Sequence, residues 1–398
     1  MKLPAEAPSA GMRRLLDALG SKQGQTRYVG GWVRDTLLGL PVSDIDLATR
    51  HRPEEVIALL RTAGIKAVPT GLAHGTITAV VESRPVEVTT LRRDVATDGR
   101  RATIAYTDDW AEDAARRDFT INALSADPES GEVHDYFGGK ADLEAGVVRF
   151  IGDPLTRIAE DHLRILRFFR FHARFGRGPA DAAALDACTM RANDLMALSR
   201  ERIADEITKL LALAAPSGAI RLMIERGILR PVLPEITDVA PLERLIAREA
   251  EAGIPGDPLR RFAALLPADA DVAGAVGTRL RLSNKAVKRL VCAASRTADP
   301  ESVPAVLAYR IGREEAIDRL LLSDAEPAAA AGLLDWDRPQ LRISGGTLIR
   351  MGLQAGPIVA ATMEDLKRRW SAAGFPGDPH EQTRLAEAAV AQALRETQ

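Results

Sequence analysis

Tyr28 to Thr49 reads YVGGWVRDTLLGLPVSDIDLAT, and this one stretch joins a glycine pair, a short helix and an acidic strand. Gly30 and Gly31 let the backbone come close to a ligand. The helix predicted behind them, Trp32 to Leu38 with Gly39 as its stop, would aim its positive N-terminus at that ligand, an arrangement that suits a phosphate chain. Further on, Asp44 and Asp46 alternate with Ile45 and Leu47, so a strand here puts both carboxylates on one face and the apolar pair on the other. Two neighbouring carboxylates repel each other unless a cation lies between them. The plainer alternative is an acidic edge strand facing water.

Outward from this stretch, TITAVV (Thr76 to Val81) and PVEVTTL (Pro85 to Leu91) are short β-branched runs bounded by glycine, proline or charge. They predict a small sheet with flanking helices. From about Asp153 the strand signals stop and helical periodicity takes over, interrupted at Gly178-Pro179, Pro231 to Pro234, Gly253 to Pro258 and Gly377 to Pro379. The fold class expected is α+β. A head over residues 1–150 precedes a helical neck (151–235), body (236–335) and tail (336–398), which suits the two to four domains that 398 residues allow.

With 53 Lys and Arg against 55 Asp and Glu, the chain as a whole offers a polyanion no attraction, so any nucleic-acid site must be a local patch. Cys188 and Cys292 stand far apart in apolar surroundings, as reduced buried thiols do. The first residues lack the apolar stretch of a signal peptide, and no run approaches 18 apolar residues. A soluble, cytoplasmic protein is expected.

Two further segments carry charge in unusual order. In AARRDFTINAL (Ala114 to Leu124), Arg116, Arg117 and Asp118 precede the amphipathic Phe119, Ile121 and Leu124; alone this could be a surface cluster capping a helix. In RIAEDHLRILRFFRFHARFGR (Arg157 to Arg177), a continuous helix would place Arg164, Arg167, Arg170, Arg174 and Arg177 on one side and Ile158, Ile165, Leu166, Phe169 and Ala173 on the other. A solvated face normally mixes signs, whereas this one is almost all guanidinium, whose planar forks suit phosphate oxygens and base edges.

In this order and at these separations, the three segments resemble the class II branch of the nucleotidyltransferase superfamily, which holds bacterial CCA-adding enzymes and poly(A) polymerases. The pattern GG-x-V-R-D followed by D-x-D is present as Gly30, Gly31, Val33, Arg34, Asp35, Asp44 and Asp46. R-R-D-F-T-x-N-A spans Arg116 to Ala123, and E-D-x-x-R-x-x-R falls on Glu160, Asp161, Arg164 and Arg167. The likeness runs from about Arg27 to Leu211 and takes in SRERIADEI from Ser199. It implies Mg²⁺ at Asp44 and Asp46, nucleotide contacts from the Gly30-Gly31 turn, Arg34 and Arg117, base reading by Asp161 and Arg164, and support from Arg167 and Arg170. Glu87 shares a side of its strand with Thr89, opposite Val86 and Val88, and could supply a third carboxylate. The implied substrates are CTP, ATP and the 3′ end of the tRNA acceptor arm, joined with release of pyrophosphate. His162 departs from the pattern, where a small or apolar residue is expected.

Beyond Leu211 the likeness fades and only local physics is left. Arg279 to Arg296 contains six basic and no acidic residues, with Ser283 a plausible N-cap, and Lys285, Lys288 and Arg289 are candidate tRNA-phosphate contacts on it; a basic solvated face is the alternative. Ile343 to Trp370 reads as two short helices around glycine turns, the second opened by Pro357, and serves either to grip RNA or as a packing hairpin. His134-Asp135 belongs to a strand and turn rather than a metal site. Two rivals remain: a poly(A) polymerase of the same family, and an inactive RNA-binding module. TGLAHGTITAVV (Thr70 to Val81) looks like the tRNA enzymes, and paired carboxylates would gain a mere binder of polyanions nothing.

Overall fold

The computed structural model of the protein describes residue 3 and residues 8–42, 44–98, 101–296 and 303–396. Two compact units divide the chain, Met1–Thr237 and Asp238–Gln398.

The first unit opens with α1 (Ala10–Ala18), β1 (Thr26–Val29), α2 (Gly31–Leu37), β2 (Ile45–Thr49), α3 (Pro53–Thr62), β3 (Lys66–Gly71), β4 (Thr76–Val81) and β5 (Arg84–Thr90). A separate hairpin of β6 (Arg92–Asp98) and β7 (Arg101–Tyr106) follows, then α4 (Trp110–Ala115), β8 (Ser125–Ala126), β9 (Val133–His134) and α5 (Gly139–Ala145). Seven strands form one sheet in the order β3-β4-β5-β2-β1-β8-β9, with β2 and β5 parallel and the other neighbours antiparallel. Alternation decides its faces. Ile77, Ala79 and Val81 of β4, Val86 and Val88 of β5 and Leu47 of β2 are buried, and α1 and α3 add Leu15, Leu16, Val56 and Leu60 to the buried set while packing against β4. The residues between them, Asp46 and Glu87 among these, are left for the opposite face. Pro53 opens α3, where the Glu55 carboxylate accepts the Arg52 N–H at 2.8 Å and so closes a capping box.

Only helices follow among the described residues: α6 (Pro154–Glu160), α7 (Arg164–Phe175), α8 (Ala182–Met190), α9 (Arg200–Leu211) and α10 (Ser217–Glu225). Here the structure corrects the sequence reading of Arg157 to Arg177 as one helix. The chain breaks at Asp161, whose backbone is extended (φ −154°, ψ 106°), because its carboxylate and carbonyl turn to cap the Leu163 and Arg164 N–H groups at 3.1 and 3.0 Å. Phe168 and Phe169 of α7 are fully buried with Phe119 and Phe150, and Phe119 lies 4.9 Å from Phe150 and 5.2 Å from Phe171, ring centre to ring centre. Contacts of this kind are each worth about 0.5 to 1.5 kcal/mol beyond area burial, so they lock α7 onto the segment carrying Arg116 to Ala123.

The second unit is helical throughout its described residues: α11 (Ala240–Glu251), α12 (Pro258–Leu265), α13 (Ala270–Arg279), α14 (Asn284–Ala294), α15 (Pro304–Ile311), α16 (Arg313–Leu322), α17 (Pro327–Ala331), α18 (Gly345–Arg350), α19 (Pro357–Ala372) and α20 (Pro379–Glu396). One core gathers Leu245, Leu307, Leu320 and Leu333, and another Leu348, Leu353, Leu366 and Val390. The four proline and glycine joints all fall between helices, and Pro357 begins α19. No described helix is long and apolar enough to cross a membrane.

Candidate active site

A cavity of about 920 Å³ opens within the first unit, over the polar face of the sheet. Asp44, Asp46, Glu87, Gly31, Arg34, Arg117, Asp161, Arg164, Arg167 and Arg170 all line it, so segments up to 139 residues apart meet at one place. Gly30, the residue before α2, is not among the lining residues, and Lys285, Lys288 and Arg289 belong to the second unit.

The acidic wall comes from the parallel pair β2 and β5, in which Asp46 and Glu87 are register partners on adjacent strands. Asp44 is exposed and lies one residue before β2, not within it as the alternation suggested. Burial, then the charges of Glu87 and Asp44, push the Asp46 carboxyl up to about 6 against the pull of Arg117. An all-oxygen, like-charged donor set of this kind suits a hard divalent cation. Among the described residues no three His, Cys, Asp or Glu side chains are already gathered at metal-holding distance.

The glycine turn faces this wall. Gly30 has φ +65°, which favours glycine, and a Cβ there would stand 2.6 Å from the Arg117 Nη1. Arg117 is thereby admitted against the backbone, where it donates to the Asn122 carbonyl at 3.4 Å and pairs with Asp113 at 3.6 Å. The helix expected from Trp32 to Leu38 runs from Gly31 to Leu37, and Gly39 takes φ +66° as its stop. Arg34 is 5% exposed: it pairs with Asp35 at 2.7 Å, donates to Asn122 and lies 4.2 Å over the Phe175 ring. Burial holds both Arg34 and Arg117 below the ordinary arginine value, outweighing Asp35 and Asp113 respectively.

The arginines of α7 are not a free cationic stripe. Arg167 donates to Asp118 at 2.8 Å, Arg170 to Glu206 at 2.6 Å and Arg174 to Asp35 at 3.0 Å, while Arg164 binds Glu160 and the carbonyls of Arg157 (2.7 Å) and Arg116 (3.2 Å). For Arg167, Arg170 and Arg174 the acidic partners arrive from elements far off in sequence, so the absence of local mixing did not mean absence of neutralisation. Burial pushes Asp118 up, but Arg167, Asn122 and the Phe119 N–H outweigh it and leave the carboxyl below its usual range. The cavity also exposes residues to which the sequence reading gave no role: Asp118, Asn122, Leu163, Phe171, Arg202 and Lys209. Asp118 and Asn122 stood inside a motif and Arg202 inside SRERIADEI, so a signal existed for three of them. His162 is half-buried at the break between α6 and α7, with Nδ1 3.7 Å from Asp194.

In the second unit Ser283 caps α14 as expected, accepting the Ala286 N–H at 3.2 Å, and Lys285 and Lys288 are exposed. Arg289 differs from the expectation. Its guanidinium turns inward to Asp318 (2.6 Å) and Asp257 (3.1 Å), in a buried network with Arg260 and Glu249, so it serves packing rather than a surface phosphate. Asp135 accepts the Gly139 and Lys140 N–H groups, both at 2.9 Å, and is a turn cap after β9.

A glycine turn opposite paired carboxylates on a mixed sheet, with a helix of arginines closing the cavity, defines a nucleotidyltransferase. Comparison with known proteins agrees. Residues 26–149 match the family described as Poly A polymerase head domain, and residues 181–239 match the one described as Probable RNA and SrmB- binding site of polymerase A. CCA tRNA nucleotidyltransferase 1, mitochondrial, of Mus musculus is 32% identical over 381 residues, 92% of this chain and 87% of its own. The CCA-adding enzyme of Latilactobacillus sakei is 30% identical over 403 residues, covering 93% and 96%. A crystal structure of the Bacillus stearothermophilus CCA-adding enzyme in complex with CTP superposes with a TM-score of 0.75 at 27% identity, over 98% of this chain and all of that one. The chain belongs to the CCA-adding enzyme family of tRNA nucleotidyltransferases.

Proposed function

We propose that this protein adds C, C and A to the 3′ end of tRNA from CTP and ATP without a template, releasing pyrophosphate at each step. The observation that carries the reading is the meeting, in one cavity, of Asp44, Asp46 and Glu87 with the glycine turn and with Asp161 and Arg164. Family likeness gives the substrate class, since the mouse relative is named for CCA and tRNA.

The family's divalent metal, in our reading Mg²⁺ held by Asp44, Asp46 and Glu87, would neutralise the triphosphate and polarise the RNA 3′ hydroxyl when bound. The chain's own groups do the rest. The Gly30 N–H is held by the Leu124 carbonyl at 3.0 Å, so Gly31 is the residue of the turn that brings a backbone N–H to the phosphates, and Arg34 and Arg117 present fixed guanidiniums beside it. The 3′ hydroxyl gives its proton to solvent water, its oxygen bonds to the α-phosphorus as the bond to the bridging oxygen breaks, and pyrophosphate leaves with that electron pair. Asp161 accepts from the exocyclic amino group of cytosine or adenine and Arg164 donates to a ring acceptor, which rejects the carbonyls of uracil and guanine at the same edge. Arg167 and Arg170, anchored on Asp118 and Glu206, keep the cavity wall rigid and face the nucleotide. Residues 1–150 would form the catalytic head and 151–235 the neck, with the body and tail holding the acceptor arm. Lys285 and Lys288 are our candidates for its phosphates. We place the reaction in the cytoplasm, where the unbridged Cys188 and Cys292 would stay reduced.

The test supplies tRNAs lacking one, two or three 3′ residues with each triphosphate alone. CTP should extend the two shorter substrates and ATP only the one ending in CC, with UTP and GTP near background. Long ATP-only tails on all three would instead mark a poly(A) polymerase, and no extension at all an inactive binder.

A further inference from the structure

The second unit holds a cavity of its own, about 560 Å³, lined mainly by α15 and α19. We propose that it is a second nucleotide site, one the transfer reaction does not use, and that it takes a free ribonucleoside 5′-monophosphate. Its size falls within the range of small-ligand sites, roughly 300 to 1,000 Å³.

The base end is aromatic. Val306 and Ala361 line the cavity beside the Tyr309 ring, which Trp370 meets edge-on at 5.6 Å and Phe375 approaches to 5.2 Å, ring centre to ring centre. Phe375 takes φ +59°, a left-handed backbone strained for any residue but glycine, and its N–H bonds the Trp370 carbonyl at 3.0 Å. Trp370, 1% exposed, gives its indole N–H to the Pro376 carbonyl at 3.0 Å, so the box around Tyr309 is complete before any ligand arrives. On the Tyr309 ring rests the Arg338 guanidinium, 4.7 Å from its centre. Arg338 is exposed and has no carboxylate partner among the described residues, unlike Arg289 of the same unit, which is turned inward onto Asp318 and Asp257. A guanidinium with one face on a ring keeps the other for a planar ligand, and nucleobases stack on such planes.

The rim supplies the remaining contacts. Arg310, Lys367 and Arg368 line it beside Glu364 and Asp365, so with Arg338 four cations meet two carboxylates and an anion is favoured. Both carboxylates are engaged within α19: Glu364 holds Lys367 at 2.6 Å, and Asp365 holds Arg368 and, at 2.6 Å, Arg369. The Glu364 side chain is 72% exposed and keeps acceptor sites for ribose hydroxyls, as the acidic residue of a dinucleotide fold does. Base on Arg338, ribose on Glu364 and phosphate among Arg310, Lys367 and Arg368 make up a mononucleotide. A continuous RNA strand fits less well, because its flanking phosphates would pass Glu364 and Asp365, whereas a mononucleotide turns its one phosphate to the cations.

The experiment is equilibrium dialysis of the full chain against radiolabelled AMP in chelator, with Arg338→Ala and Glu364→Ala beside the wild type, followed by cross-linking with 8-azido-AMP and mapping of the labelled peptide. Both residues are exposed, so neither substitution should unfold the unit. The wild type should saturate with one more AMP per chain than Arg338→Ala, and the azide should label a peptide between Val306 and Ser371. AMP should bind this site about tenfold more tightly than dAMP, a preference that Glu364→Ala should lose. The proposal is overturned if the wild type and Arg338→Ala saturate alike, if Glu364→Ala keeps the preference for AMP, or if the label is confined to the first unit. Displacement by inorganic phosphate as effective as by unlabelled AMP would reduce the site to a bare anion patch and overturn it too. So would protection of the labelled peptide by tRNA but not by unlabelled AMP, which would assign the cavity to RNA.

Discussion

Replacing Asp46 by Asn removes one charge from a crowded wall and should stabilise the cation-free protein. Its carboxyl stands at about 6 against an ordinary 3.8, a rise of roughly 2 units driven by burial, Glu87 and Asp44. At 1.36 kcal/mol per unit the ceiling is about 3 kcal/mol; the side chain keeps some contact with water, so about 1 to 2 kcal/mol is expected. The sign follows from protonation. The folded state holds this proton more tightly than the unfolded chain, so ionisation opposes folding: the penalty is absent below about pH 4, grows as pH rises toward 6 and is complete above it. In a unit of some 237 residues each kcal/mol moves the melting temperature by about 2 to 4 °C, so Asp46→Asn should melt about 2 to 8 °C higher than wild type at pH 8 in chelator. At pH 4 the difference should shrink toward zero. Added Mg²⁺ should then raise the wild type more than the variant. A variant that melts lower than wild type at pH 8, or a gain that does not change with pH, would refute the electrostatic account of the wall.

Gly30→Ala should destabilise the first unit by about 1 to 2 kcal/mol and raise KM for the triphosphate, because φ +65° strains any L side chain and the new methyl displaces Arg117; thermal melts and nucleotide titrations check both effects. Arg289→Ala should cost the second unit about 3 kcal/mol by stranding the fully buried Asp318, at the low end for a broken buried pair since Arg260 remains 3.3 Å away; urea unfolding measures it. Lys285→Ala with Lys288→Ala should leave stability within about 0.5 kcal/mol yet flatten the log-log salt dependence of tRNA binding by about 2 units.

What the sequence revealed and what it concealed follow from the range of the forces involved. The period-2 alternation in β2 and β5 is local, so the shared face of Asp46 and Glu87 could be read from IDL and VEV before their pairing was known. Glycine punctuation likewise located α2 and the joints between the later helices. The break at Asp161 left no such mark, because it contains neither glycine nor proline and depends on a side chain capping the next turn. The arginines of α7 misled for the opposite reason. Their periodicity was visible, but the carboxylates that neutralise Arg167, Arg170 and Arg174 lie 36 to 139 residues away, and Asp318 does the same to Arg289 from 29 residues off. Periodicity shows which side a residue takes; only the fold shows what it meets there.

The central claim is that the carboxylate wall performs the transfer, and single-turnover extension of tRNA lacking its terminal A tests it most directly. Purified Asp44→Ala and Asp46→Ala should show wild-type secondary structure and still bind tRNA, while ATP incorporation and pyrophosphate release fall to background at saturating Mg²⁺. Near-wild-type turnover by either variant under those conditions would contradict the account.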